Sequence, residues 1–135
     1  MTDTKTPTQL EFLTDLINRE RDYALKTADS AKEDLRFEWS SLHKFITASA
    51  DLWVMGAMRS TLQTVHSRED MDMAWAVESL DKQAAMATEK VCRNAQNSSR
   101  EIELIDVAIA SAWQTHWLGS CGRRNQFTGA AKQGS

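Results

Sequence analysis

The chain has 135 residues, of which 41% are hydrophobic and 26% charged, and its formal charge is −3. This length and balance predict one globular domain with a sizeable core and exclude a wholly disordered chain. The small negative charge argues against a dedicated nucleic-acid-binding protein. Among one proline and five glycines, only Gly56 and Pro7 precede residue 119. Because sheet proteins need frequent turns, this scarcity predicts an all-α fold.

Neither the cysteines nor the N-terminal residues indicate secretion. Cys92 and Cys121 are well separated and form no disulfide framework, so we expect reduced thiols. Residues 1–9 are polar and lack the pattern of a secretory signal. The longest charge-free run, 107–122, contains several polar residues and is shorter than the roughly 20 apolar residues of a membrane span. These features predict a cytoplasmic protein that does not enter a membrane.

Helical periodicity begins close to the N-terminus. The first helix is expected to start near Pro7 or Thr8, because proline suits a first helical turn and Thr8 with Glu11 has capping-box spacing. A second apolar stripe steps by three or four residues from Ala31 to about His66. The sequence leaves open whether the two helices are separated by a turn near residues 27–30 or are continuous.

Two further helices follow. Ser67, which precedes two acidic residues, predicts the start of a third helix that runs to about Ala95. Ser98 and Glu101 form a second capping box, and the fourth helix that they introduce is expected to stop at Gly119.

The elements together predict a bundle of three or four long antiparallel helices over residues 8–118. Residues 1–7 are polar and are expected to be flexible. Residues 119–135 are rich in Gly, Ser, Ala and Gln, and they predict a flexible C-terminal tail.

Catalytic and metal-binding patterns are weak. No Glu lies three residues before His43, His66 or His116, as a carboxylate-bridged metal bundle would require. The cysteines and histidines also lack zinc-ligand spacing, and the chain has no Gly-rich phosphate loop. We therefore expect neither an enzyme nor a cofactor.

The five tryptophans are more informative, because large aromatic residues are enriched where proteins associate. Trp53, Met55 and Met58 lie in a segment that is apolar all round, which predicts the central helix of a single chain or the shared core of a dimer. Trp113 and Trp117 lie one turn apart and predict a second contact patch. We interpret the chain as a non-catalytic protein–protein interaction module that forms a homodimer. The alternative is that the tryptophans fill the core of a single chain.

A cluster of acidic residues without an intervening base suggests a different module, an inhibitor of the kind that phages and mobile elements encode. Such an inhibitor would bind a host or defence enzyme through an acidic helix face. The residues of that face are Glu69, Asp70, Asp72, Glu78 and Asp81.

The C-terminal residues suggest a third possibility, in which the chain is an accessory protein for nucleic acid. All nineteen acidic residues lie at or before Asp106, and only Arg123, Arg124 and Lys132 carry charge after it. Three bases in a predicted tail are a weak signal for phosphate binding, so we expect a protein rather than a nucleic acid as the partner.

Overall fold

The computed structural model describes residues 9–35, 38, 40–68, 70–96, 104–119 and 122–133. Over these residues the chain forms five α-helices and no strand, which confirms the predicted all-α bundle. The helices are α1 (Gln9–Asp34), α2 (Ser41–Ser67), α3 (Met73–Gln96), α4 (Leu104–Trp113) and α5 (Arg124–Gln133). A π-helical turn, Gln114–Leu118, continues α4. None of these helices has the length and apolar character that crossing a bilayer requires.

Helix α1 passes through residues 27–30 without a break, and α1 and α2 are separated only after Asp34. The predicted ends of α2 near His66 and of the fourth helical segment at Gly119 are confirmed. The capping boxes of Thr8 and of Ser98 include residues outside the described ranges.

The start of α3 differs from the prediction. The sequence placed it at Ser67, but α2 extends through that serine and α3 begins at Met73. Asp72 provides the cap, because its Oδ1 accepts the Trp75 N–H at 2.9 Å. A carboxylate at this position satisfies one of the free amide groups of the first turn and faces the positive end of the helix dipole.

The long helices alternate in direction. Lys90 of α3 pairs with Asp106 near the start of α4 at 3.3 Å, whereas Asp81, earlier in α3, bonds Trp117 after the end of α4 at 2.8 Å. Helices α3 and α4 are therefore antiparallel, and α1–α2 and α2–α3 are joined by short connections that reverse the chain. It follows that α2 and α4 run in the same direction. Helix α2 is central and contacts α1, α3 and α4.

The main core lies at one end of the bundle, which we call the α5 end. It is formed by the first half of α1, the second half of α2, the first half of α3, the end of α4 with its π-helical turn, and α5. Its buried residues are Leu13, Ile17, Ala50, Val54, Met55, Met58, Leu62, Met73, Ala76, Leu80, Ala84, Ala112, Trp113, Trp117, Phe127 and Ala130. Each large apolar side chain buried there stabilises the fold by roughly 1.5–3 kcal/mol.

The other end of the bundle, which we call the open end, is built from smaller residues. On α1, the buried residues Ala24, Ala28 and Ala31 recur at steps of four and three, and Ala48 of α2 is also buried. None of these alanines belongs to the main core. Because alanine is short, the two helices can approach closely along this seam.

The prediction of a flexible tail over residues 119–135 is corrected for residues 124–133, which form helix α5. Phe127 is fully buried, and its ring meets that of Trp117 edge to face with centroids 5.0 Å apart. Ala130 is buried one turn later. Phe127 and Ala130 are three residues apart and so form a narrow apolar face on α5. Packing of this face against the main core stabilises the helix.

Candidate functional site

Only one of the three residues predicted for self-association on α2 reaches the surface. Trp53 is 64% exposed, whereas Met55 and Met58 are buried in the main core. Successive residues of a helix are rotated by about 100°, so Trp53 and these methionines point to opposite sides of α2. The predicted contact role of Met55 and Met58 is therefore corrected to core packing.

The second predicted patch also belongs to the core. Trp113 and Trp117 are 1% and 0% exposed, and Trp117 donates its indole N–H to the Asp81 carboxylate. Both tryptophans therefore stabilise the single chain rather than forming a free surface. The alternative interpretation, in which tryptophans fill the core, is confirmed for these two.

The predicted acidic face is divided among several local roles. Asp70 pairs with Arg68 at 3.0 Å, and Asp72 caps α3. Glu78 is exposed, and Glu69 lies outside the described residues. Among the described members of the set, Asp70, Asp72 and Glu78 are thus exposed, and Asp81 is partly buried.

Asp81 is the best-partnered member of that acidic set. Its two carboxylate oxygens accept bonds from the Arg124 guanidinium at 2.8 and 2.9 Å, in addition to the bond from Trp117. The hydrogen bonds from Arg124 hold the pKa of Asp81 below its usual value, and the carboxylate raises the pKa of Arg124. This triad joins α3, the π-helical turn and α5.

Arg123 also has an internal partner. It forms an ion pair with Glu20 of α1, and burial lowers the pKa of the arginine. The two arginines expected to contact phosphate are thus engaged in holding α5 against α1 and α3.

A groove of about 560 Å³ lies between α2 and α4. Its α2 wall is formed by Leu42, His43, Ile46, Thr47 and Asp51. Its α4 wall is formed by Leu104, Val107, Ala108, Ser111, Ala112, Thr115 and His116. The groove lies mainly at the open end of the bundle, beyond the reach of α5.

A shallower groove runs beside it between α1 and α2, and the two share the residues His43, Thr47 and Asp51. These three residues lie four apart, so they form a ridge along α2. Tyr23 and Thr27 of α1 line the far side of the second groove. This ridge therefore separates two neighbouring grooves, one bounded by α1 and the other by α4.

Charged residues meet where the groove approaches the α5 end. Asp51 Oδ1 lies 2.9 Å from His116 Nε2, and this contact joins α2 to the π-helical turn. Glu20, Arg123, Asp51 and His116 together line a small adjacent cavity. The polar end of the groove thus contains one carboxylate and one imidazole, and the adjacent cavity adds a second carboxylate and a guanidinium.

The backbone around the π-helical turn fixes this polar end. The Arg123 N–H donates to the His116 carbonyl at 2.8 Å, which turns the chain back towards α5. A Cβ on Gly119 would lie 2.7 Å from the Gln114 carbonyl oxygen, and a Cβ on Gly122 would collide with the Trp117 carbonyl. Only glycine permits these close approaches without a shift of the backbone.

A second surface feature lies on the outward face of α2, which we define as Phe45, Ser49, Leu52, Trp53 and Gly56. Helical spacing places these five residues on one side of α2. Trp53 projects into solvent, and a Cβ built on Gly56 would meet nothing within 4 Å. A large aromatic side chain therefore stands beside an open depression in the helix surface.

The described residues contain no group of three side chains suited to hold a metal ion. His43 and His66 are exposed, and Cys92 is an exposed free thiol. Cys121 lies outside the described ranges.

The pairing of Asp51 with His116 was missed by the sequence analysis because 65 residues separate the two. One signal was present. Asp51 is the only acidic residue between Glu38 and Glu69, and it interrupts an apolar helical segment. An isolated acid in such a segment often has a specific partner.

No protein-family model, curated protein or solved structure matches this chain.

Proposed function

We propose that the protein is a non-catalytic protein–protein interaction module that forms a homodimer through the outward face of α2. The observation that carries this proposal is the exposure of Trp53, 64% of whose surface is accessible to solvent in the single chain. An exposed tryptophan leaves a large apolar area in water, and tryptophan is the side chain most often found at the energetic centre of interfaces.

The surroundings of Trp53 support a second copy as the partner. Ser49 and Gly56 lie one turn before and one turn after it on the same side of α2, and neither presents a bulky side chain. In a two-fold symmetric contact, the projection on each copy fits into the depression on the other copy. Trp53 and the Gly56 depression are adjacent, as such a self-complementary surface requires.

The arginines favour a protein partner over a nucleic acid. Arg123 and Arg124 each form an internal ion pair, with Glu20 and Asp81. Phosphate binding by these side chains would have to compete with both pairs. The bases that suggested a nucleic-acid accessory role therefore do not form a free basic surface.

The test is sedimentation velocity over a range of protein concentrations, with two variants of the outward face. Trp53→Ala removes the projection, and Gly56→Leu fills the depression. Both should convert a dimer to a monomer without unfolding it, because Trp53 is exposed and Gly56 has open space around it. Losing a central interface tryptophan should weaken association by about 2 kcal/mol or more, which is roughly thirtyfold.

Met86→Ala is the matched control, because Met86 is an exposed apolar residue on a different helix. It should leave the dimer unchanged. A wild-type chain that stays monomeric at all concentrations would overturn the homodimer. A dimer that survives both α2 variants would place the interface elsewhere.

A further inference from the structure

We propose that the groove between α2 and α4 binds a small amphiphile with an alkyl or aryl body and a cationic amine head. The groove and the outward face of α2 as defined above have no residue in common, although Leu42 and Ile46 of the groove lie on the same stripe of α2 as Trp53. The proposal does not depend on the homodimer. Its basis is the distribution of polarity and charge along the groove.

One half of the groove is mainly apolar, and His43 is the polar residue that lines it. Leu42 and Ile46 lie on its α2 wall, and Leu104, Val107 and Ala108 face them from α4. Leu104 is 67% exposed, so much of its apolar surface is in contact with water in the single chain. A ligand chain that covered this half would gain about 0.8 kcal/mol for each methylene group it buried.

The other half is polar. Ser111, Thr115 and His116 follow along α4, and Thr47 and Asp51 follow along α2. Because α2 and α4 run in the same direction, the polar ends of the two walls coincide. A groove that is mainly apolar at one end and mainly polar at the other matches a ligand with one apolar end and one polar end.

The charge at the polar end selects the head group. Asp51 and Glu20 carry two negative charges, and Arg123 carries one positive charge that its ion pair with Glu20 occupies. His116 adds a positive charge only when it is protonated. Asp51 is the only Asp, Glu, Lys or Arg side chain among the described residues that line the groove, and its negative charge attracts a cation and repels a carboxylate or phosphate.

Asp51 is placed to receive such a cation. About a quarter of its side chain is exposed, and its Oδ1 accepts the one hydrogen bond described for it, from His116. A carboxylate offers about four lone-pair sites, so a second donor can bind without displacing the imidazole. The nearest lysine along α2, Lys44, lines the groove on the α1 side and not this one.

The dimensions limit the size of the ligand. From Leu42 to Asp51 the α2 wall is about 13 Å long at the helical rise. A volume of about 560 Å³ lies within the range of small-molecule sites. A medium-length chain with a single head group fits these limits, whereas a two-chain lipid does not.

The probes for the test are octylamine, octanol and octanoate, which share a chain and differ in head group. Each is titrated into the full chain by isothermal calorimetry below its micelle concentration. Octylamine should bind about tenfold more tightly than octanol, because its ammonium group makes a charge-assisted bond to Asp51. Octanoate should bind most weakly.

Two variants locate the site. Asp51→Asn should remove the preference for amine over alcohol while octanol still binds, and that retained binding also shows that the variant is folded. Ser111→Trp should fill the groove and abolish binding of both ligands, because Ser111 is an exposed lining residue. Ser60→Trp is the matched control on an exposed position of α2 outside the groove, and it should bind as the wild type does.

Several results would overturn the proposal. Octanoate binding as tightly as octylamine would exclude selection by Asp51, and absence of binding by all three probes would exclude the site. Unchanged amine binding in Ser111→Trp would show that the amphiphile adheres elsewhere. Sedimentation velocity of the same samples reports the oligomeric state independently of ligand binding. Loss of amine binding and loss of the dimer can therefore be distinguished.

Discussion

The two ends of the bundle differ in how they are packed. At the α5 end, Trp113, Trp117 and Phe127 belong to the core that α1 to α5 form together, and they are almost completely buried. At the open end, α1 and α2 meet through alanines, and on α4 Leu104 is 67% and Val107 40% exposed. The same helices α1 to α4 pass through both regions, so the difference arises from their side chains and from α5.

This difference suggests that the α5 end stabilises the fold and that the open end provides a binding surface. Large buried side chains and the Asp81–Arg124 pair tie five elements together at the α5 end. The open end has short side chains and a concave apolar surface instead. Binding sites are usually concave and partly apolar, and a well-packed region beside them holds their walls in place. Substitutions should therefore affect the two ends unequally.

Trp117→Ala should have the largest effect on stability. It removes a fully buried ring, its contact with Phe127 and its hydrogen bond to Asp81. Large-to-small substitution of a buried aromatic residue lowers the free energy of unfolding by about 3–5 kcal/mol. The measurement is urea denaturation followed by circular dichroism.

Trp53→Ala is the matched control, since it deletes the same side chain from an exposed position. Its effect on the unfolding of the monomer should be below about 0.5 kcal/mol. Equal destabilisation by the two variants would contradict the packing difference described above.

Gly122→Ala should have an intermediate effect. A Cβ at this position collides with the backbone carbonyl of Trp117, so the turn that leads into α5 must shift. Overpacking of this kind destabilises by roughly 1–3 kcal/mol. Thermal unfolding measures the loss.

Gly129→Ala is the control for Gly122→Ala, because it adds the same methyl group where there is space for it. Nothing lies within 4 Å of a Cβ at Gly129, and alanine favours helix, so this variant should be neutral or more stable by up to about 1 kcal/mol. If Gly122→Ala were also neutral, the turn would tolerate a side chain and would not fix the polar end of the groove.

The main helices could be predicted from the sequence because local signals specify them. Periodic apolar residues predicted α2 and α3, and Gly119 marked the end of the fourth helical segment. Helix α5 could not be recognised in this way. Its composition is that of a loop, and its stability comes from the burial of Phe127 against Trp117, a contact that exists only in the folded chain.

The candidate sites were harder to predict than the helices. An excess of tryptophan indicated an interface, but composition does not show which aromatic residues face the core. Trp53 is exposed and Trp113 is buried, although both lie in apolar helical segments. The α2–α4 groove and the Asp51–His116 contact depend on how distant helices pack, which no short-range pattern specifies.

A smaller loss than those of Trp117→Ala and Gly122→Ala should come from Asp81→Asn, which replaces the carboxylate that binds Arg124 with an amide of similar shape. The pairing lowers the pKa of Asp81 below its usual 3.8, so the ionised carboxylate is favoured in the folded chain. About a third of the Asp81 side chain is exposed, and solvent therefore weakens the pair. We expect a loss of about 1 kcal/mol at neutral pH.

The pH dependence identifies the cause of that loss. Because the folded-state pKa is depressed, the contribution of Asp81 is complete above its ordinary pKa and disappears as the pH falls through the folded-state value. The difference in unfolding free energy between wild type and Asp81→Asn should therefore be constant from neutral pH down to about pH 5 and shrink at lower pH. Asp70→Asn, which breaks a more exposed pair with Arg68, should change stability by less than about 0.5 kcal/mol. A difference for Asp81→Asn that did not change down to pH 2 would mean that shape, and not charge, holds α5 against α3.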